Sequence, residues 1–87
     1  MISAYTFQKI QETITRAEVV VKQEAPKAAF VFEGFDEIGE YVYFKVVAKK
    51  GMITSQQIRD LKEKTGFEPG VESTSPIYSG NYRVHVS

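Results

Sequence analysis

The sequence predicts a small α+β domain, an antiparallel sheet of two hairpins with two helices on one face, in the order α-β-β-α-β-β. Three observations predict it. An apolar stripe at helical spacing fills the first quarter of the chain. Two runs rich in aromatic and β-branched residues then flank a polar segment containing a glycine. A threonine and a glutamine three residues apart open a second helical segment, and a glycine-asparagine pair divides the tail into two more strand-like runs.

In the first element Phe7, Ile10, Ile14, Ala17 and Val21 recur at spacings of three and four, which places them on one helical stripe. Ser3 or Thr6 caps its start, and Glu12–Arg16 and Glu18–Lys22 are pairs four apart with the acid first. Pro26 stops the pattern. Val19-Val20-Val21 leaves a second reading open, because three β-branched residues in succession favour extended chain: a shorter helix followed by a strand over 18–23.

The first hairpin joins Ala28–Phe35 to Tyr41–Lys49 across Asp36-Glu37-Ile38-Gly39-Glu40. A three-residue loop Glu37-Ile38-Gly39, with Gly39 in the left-handed conformation, sets the register. Phe35 is then expected opposite Tyr41, and Phe32 opposite Phe44. Opposed residues share a face, so Phe30, Phe32, Val42, Phe44, Val46 and Ala48 form the expected core side. Val31, Glu33, Phe35, Tyr41, Tyr43, Lys45, Val47 and Lys49 form the other.

Thr54-Ser55-Gln56-Gln57 fits a capping box, with Thr54 as N-cap and Gln57 reaching back to it. Ile58 and Leu61 face inward along a helix from Ser55 to about Thr65, and Gly66 is the expected stop. In the tail, Gly80-Asn81 is the expected two-residue turn between Val71–Ser79 and Tyr82–Ser87. That turn sets Ile77 opposite Val84 and points Tyr82, Val84 and Val86 to the core, with Tyr78, Arg83 and His85 outward. Pro76 removes a donor and places its strand at an edge.

Eighty-seven residues suffice for one domain, 1–87. With no cysteine, neither a disulfide framework nor a thiolate zinc site can form. The N-terminus lacks the basic and apolar regions of a signal peptide, and no apolar run is long enough to span a bilayer. A cytoplasmic protein without membrane contact is expected. Net charge is zero, yet the charge is sorted. Residues 24–40 carry five acids against Lys27, net −4, and residues 41–64 carry six cations against Asp60 and Glu63, net +4. This sorting describes either a dipolar molecule or scattered solvated charge.

No catalytic, metal or cofactor motif is present, and no cofactor is expected. His85 is the one histidine, too few for a zinc site and without a recognisable nucleophile partner. Glu33, Asp36, Glu37 and Glu40 lack the alternating pattern of a calcium loop. Lys49-Lys50-Gly51 ahead of Thr54 could favour an anion at a helix start. The glycine pattern of a phosphate loop is missing, however, and Thr54 and Gln57 can satisfy those N–H groups themselves.

The candidate binding set is therefore Phe35, Tyr41, Tyr43, Lys45, Lys49, Lys50, Tyr78, Arg83 and His85. Tyrosine and arginine suit a protein contact, and rings interleaved with cations also suit unpaired bases and phosphates. The expected function is a non-catalytic interaction module, not an enzyme, that binds a protein partner or itself through the aromatic sheet face or a strand edge. The alternative is a nucleic-acid-binding module using the same face plus Lys49 and Lys50. The chain does not resemble the RNA-recognition motif, which opens on a strand and carries a glycine-aromatic signature. A strand at 18–23 would reproduce the order of the double-stranded-RNA-binding domain, but its Lys- and Ala-rich helix start is not matched by Met52-Ile53-Thr54-Ser55-Gln56.

Overall fold

A computed structural model describes residues 2–65, 71–74 and 76–86. The chain is α+β, with two helices packed on one face of an antiparallel sheet. Its elements are α1 (Ala4–Glu24), β1 (Ala29–Phe35), β2 (Tyr41–Lys49), α2 (Ser55–Thr65), β3 (Val71–Thr74) and β4 (Ile77–His85). The strands lie in the order β1-β2-β4-β3. β2 and β4 make the centre, and β1 and the short β3 are the edges.

Ser3 is the N-cap of α1, its hydroxyl accepting from the Thr6 N–H at 3.1 Å. The helix runs through Val19-Val20-Val21 to Glu24 without changing to a strand. Tertiary burial overrides local propensity here. Val21 is fully buried on the stripe that also buries Ile10 and Ala17. Phe7, the first residue of the expected stripe, is instead 47% exposed. The capping box of α2 is formed in both directions: Thr54 Oγ1 accepts from the Gln57 N–H at 3.1 Å, and Gln57 Oε1 from the Thr54 N–H at 2.8 Å. Lys64 pairs with Glu24 and ties the two helices together. The hydrogen bond that Lys64 donates to the Glu24 carboxylate holds its ammonium above the ordinary pKa. The expected stop at Gly66 lies outside the described residues.

The core joins Ala17, Val21 and Ala25 to Leu61 and to Phe44, Val46, Tyr78 and Tyr82 of the sheet. On β2, Val42, Phe44, Val46 and Ala48 are all buried, the parity read from the sequence. Phe44 lies between Phe30, at 5.0 Å between ring centroids, and Tyr82, stacked at 5.5 Å.

Two registers differ from expectation. Between β1 and β2, Phe32 does face Phe44, but a bulge follows, so that Gly34 faces Tyr43 and Phe35 faces Val42. Gly34 takes φ +142°, and the extra residue reverses parity beyond it. Gly39 has the expected positive φ, +73°, and Asp36 Oδ1 closes the tip by accepting from the N–H groups of Glu40 and Tyr41.

The second expected hairpin is not formed at Gly80-Asn81. Those residues lie inside β4, opposite Val46 and Lys45 of β2. A continuous strand keeps Tyr78, Gly80 and Tyr82 on one face. Tyr78 is therefore buried, and its hydroxyl bonds to that of Tyr82 at 2.9 Å. Ile77, expected inside opposite Val84, faces Lys49 and is 44% exposed.

Candidate nonhelical face of the sheet

The face turned away from the helices carries Ala29 and Val31 of β1, Tyr41, Tyr43, Lys45, Val47 and Lys49 of β2, and Ile77, Ser79, Asn81, Arg83 and His85 of β4. Among the described residues the two helices pack on the other side, so this face is open. Val31, Tyr43 and Ile77 are each exposed by 37% or more.

At one end, next to the hairpin tip, three side chains are held together. Tyr41 and His85 are directly paired across the strands, with ring centroids 5.2 Å apart in an edge-on arrangement. The Arg83 guanidinium lies 4.4 Å from the Tyr41 ring centroid. Tyr43 faces Arg83. Register creates this group, since alternate residues of two antiparallel strands must project together. Asp36, Glu37 and Glu40 of the tip stand beside it along the chain.

Lys49 lies at the opposite end of β2, eight residues from Tyr41, or roughly 27 Å of strand. Lys50 follows, its N–H donating to the Pro76 carbonyl at 2.7 Å. Lys45, between the two ends, pairs with Glu33 at 3.4 Å. The structure thus brings Tyr41, Tyr43, Arg83 and His85 into one cluster and keeps Lys49 and Lys50 apart from it.

Two of the expected members are corrected. Tyr78 belongs to the core because β4 does not turn at Gly80. Phe35 is moved to the helix side by the β1 bulge, where it meets Phe7 edge-on at 6.5 Å. The apolar residues Val31, Val47 and Ile77 were missing from the expected binding set. Reading β4 as one strand would have brought Ile77 to this face through its parity with Arg83.

At the lysine end Lys27, Ala29, Val47, Lys49, Met52 and Ile77 line a shallow, mainly apolar depression. Among the described residues, no three of His, Asp or Glu come together as a metal site, and no helix is long and apolar enough to cross a membrane. No protein-family model, curated protein or solved structure matches the chain. The chemistry of the open face is therefore the guide to function.

Proposed function

We propose that the domain is a non-catalytic interaction module that docks a protein partner on its open sheet face. The supporting observation is the Arg83–Tyr41–His85 group beside Tyr43 on a face that the helices leave uncovered. Aromatic rings already restrained by cross-strand contacts lose little further entropy when they bind. Tyrosine and arginine are the anchors that dominate protein contacts. Val31, Val47 and Ile77 add apolar area to the same face. The reading puts this cysteine-free chain in the cytoplasm, because it has no disulfide that a reducing compartment would break.

The nucleic-acid alternative has less support. Its aromatic cluster lies beside the acidic tip, Lys45 is engaged by Glu33, and Lys49 and Lys50 are a strand length away. Phosphates bind where cations and stacking rings coincide.

The test uses the isolated domain as bait, with Tyr43→Ala and Arg83→Ala compared against the unaltered chain. Each substitution is expected to weaken capture of the same partner by at least about 2 kcal/mol, roughly thirtyfold, without loss of fold. Labelled single-stranded RNA and DNA, titrated at two salt concentrations, are expected not to bind. Binding that falls steeply with salt and disappears in Tyr43→Ala would replace this reading with the nucleic-acid one.

A further inference from the structure

We propose that β1 is a self-pairing edge: two copies of this chain join through antiparallel β1 strands, Val31 against the second copy's Val31, to form one continuous sheet. This inference concerns a different surface from the open face and does not rest on that reading.

Among the described residues β1 pairs on one side only, with β2. Its other edge presents unpaired backbone groups, the usual template for strand addition. The second edge of the sheet, β3, is only four residues long. Sheet edges are commonly guarded by lysine, proline, a bulge or brevity, and the bulge of β1 lies beyond Phe32, which leaves Ala29 to Phe32 without such a guard. β1 has seven residues, Ala29 to Phe35, with no lysine or proline. Its large side chains are uncovered on both sides, Val31 at 41%, Phe32 at 44% and Phe35 at 39%. Phe7 of α1, beside Phe35 on the helix side, is 47% exposed. These residues gather apolar surface along a strand that has no second neighbour among the described residues.

The register follows from parity and charge. The bulge after Phe32 ends the regular part of the strand, which leaves the stretch around Val31 to pair. In a continuous antiparallel sheet opposed residues share a face. A two-fold axis at Val31 satisfies this, setting Phe30 opposite the second copy's Phe32, twice, on the helix side. A partner strand of different sequence would not gain that repetition. The same axis lays the Lys27 end of each strand along the Asp36-Glu37 tip of the other. Lys27 and Glu37 are both exposed, so opposite charges meet at both ends of the junction. That self-complementarity is what selects a second copy as the occupant.

Because the chain has no cysteine, one engineered thiol reports the register cleanly. Sedimentation of the whole domain is expected to show a concentration-dependent dimer. Under mild oxidation Val31→Cys is expected to form a disulfide-linked dimer, since directly opposed residues lie within about 5.5 Å. Tyr43→Cys, one strand further in, is expected not to. Phe32→Lys should raise the dimer dissociation constant about tenfold or more. Lys27→Glu should weaken the dimer, and adding Glu37→Lys should restore it. Tyr43→Ala should leave dimerisation unchanged, which separates this test from that of the sheet face. A chain that stays monomeric at about 1 mM overturns the proposal. So does cross-linking of Tyr43→Cys as efficient as that of Val31→Cys, the result of face-to-face packing.

Discussion

Phe44→Ala is expected to lower the stability of the domain by about 3–5 kcal/mol, the cost of emptying a fully buried aromatic site. Phe44 is 1% exposed and sits between the rings of Phe30 and Tyr82, so its loss removes both ring contacts and leaves a cavity in the centre of the sheet. A domain of this length has roughly 4–13 kcal/mol in total, so the substitution takes a large share of it. Tyr43, one residue earlier and on the other face, is expected to change stability by less than about 1 kcal/mol when replaced by alanine. Urea denaturation of the two variants checks both. An equal cost for the two would mean that the nonhelical face is packed rather than open.

Gly80→Ala is the second large effect. Gly80 lies inside β4 between Tyr78 and Tyr82, whose hydroxyls meet above it. A Cβ there would sit 2.8 Å from Tyr78 Cζ and closer still to its hydroxyl oxygen, with Tyr82 Cε1 at 3.0 Å. Tyr78 is buried and cannot swing away freely. The methyl group must displace the ring and break the hydroxyl pair, an overpacking cost of about 1–3 kcal/mol plus about 1 kcal/mol for the hydrogen bond. Burial, reinforced by the Tyr78 hydroxyl, holds the Tyr82 phenol above its ordinary pKa, so Tyr82 keeps its proton through the physiological range. Denaturation midpoints test this account. Adding Tyr78→Phe to Gly80→Ala is expected to recover part of the loss, because it removes the nearest atom but leaves the ring. A Gly80→Ala variant as stable as the unaltered chain would show that the glycine does not serve the tyrosine pair.

What was legible in the sequence follows a physical division. The Thr54–Gln57 box, the left-handed Gly39 and the buried row from Val42 to Ala48 depend on neighbours a few residues away or on simple alternation, and each is found as read. The corrections at Phe35 and Tyr78 come from glycines whose role is set across strands. Gly34 accompanies a bulge, and Gly80 makes room for two rings, although beside Asn81 it reads as a turn. One unread bulge moved Phe35 to the helix side, and one misread turn moved Tyr78 outward. Tyr41, Tyr43, Arg83 and His85 kept their face because no irregularity intervenes along β2, and because the expected turn at Gly80-Asn81 assigned the residues after it the same parity as the continuous strand does.

The central claim is that the Tyr41–Tyr43–Arg83 face is open in the folded domain. Hydroxyl-radical footprinting of the isolated chain tests it most directly, because its tyrosines occupy both sides of the sheet. Tyr43 is expected to be oxidised readily, second to the more exposed Tyr5, while Tyr78 and Tyr82 stay protected until the chain unfolds. Self-pairing at β1 would leave this pattern intact, since it covers an edge rather than the face. Protection of Tyr43 equal to that of Tyr82 in the isolated, folded domain would contradict the account, because the face would then be covered by the chain itself.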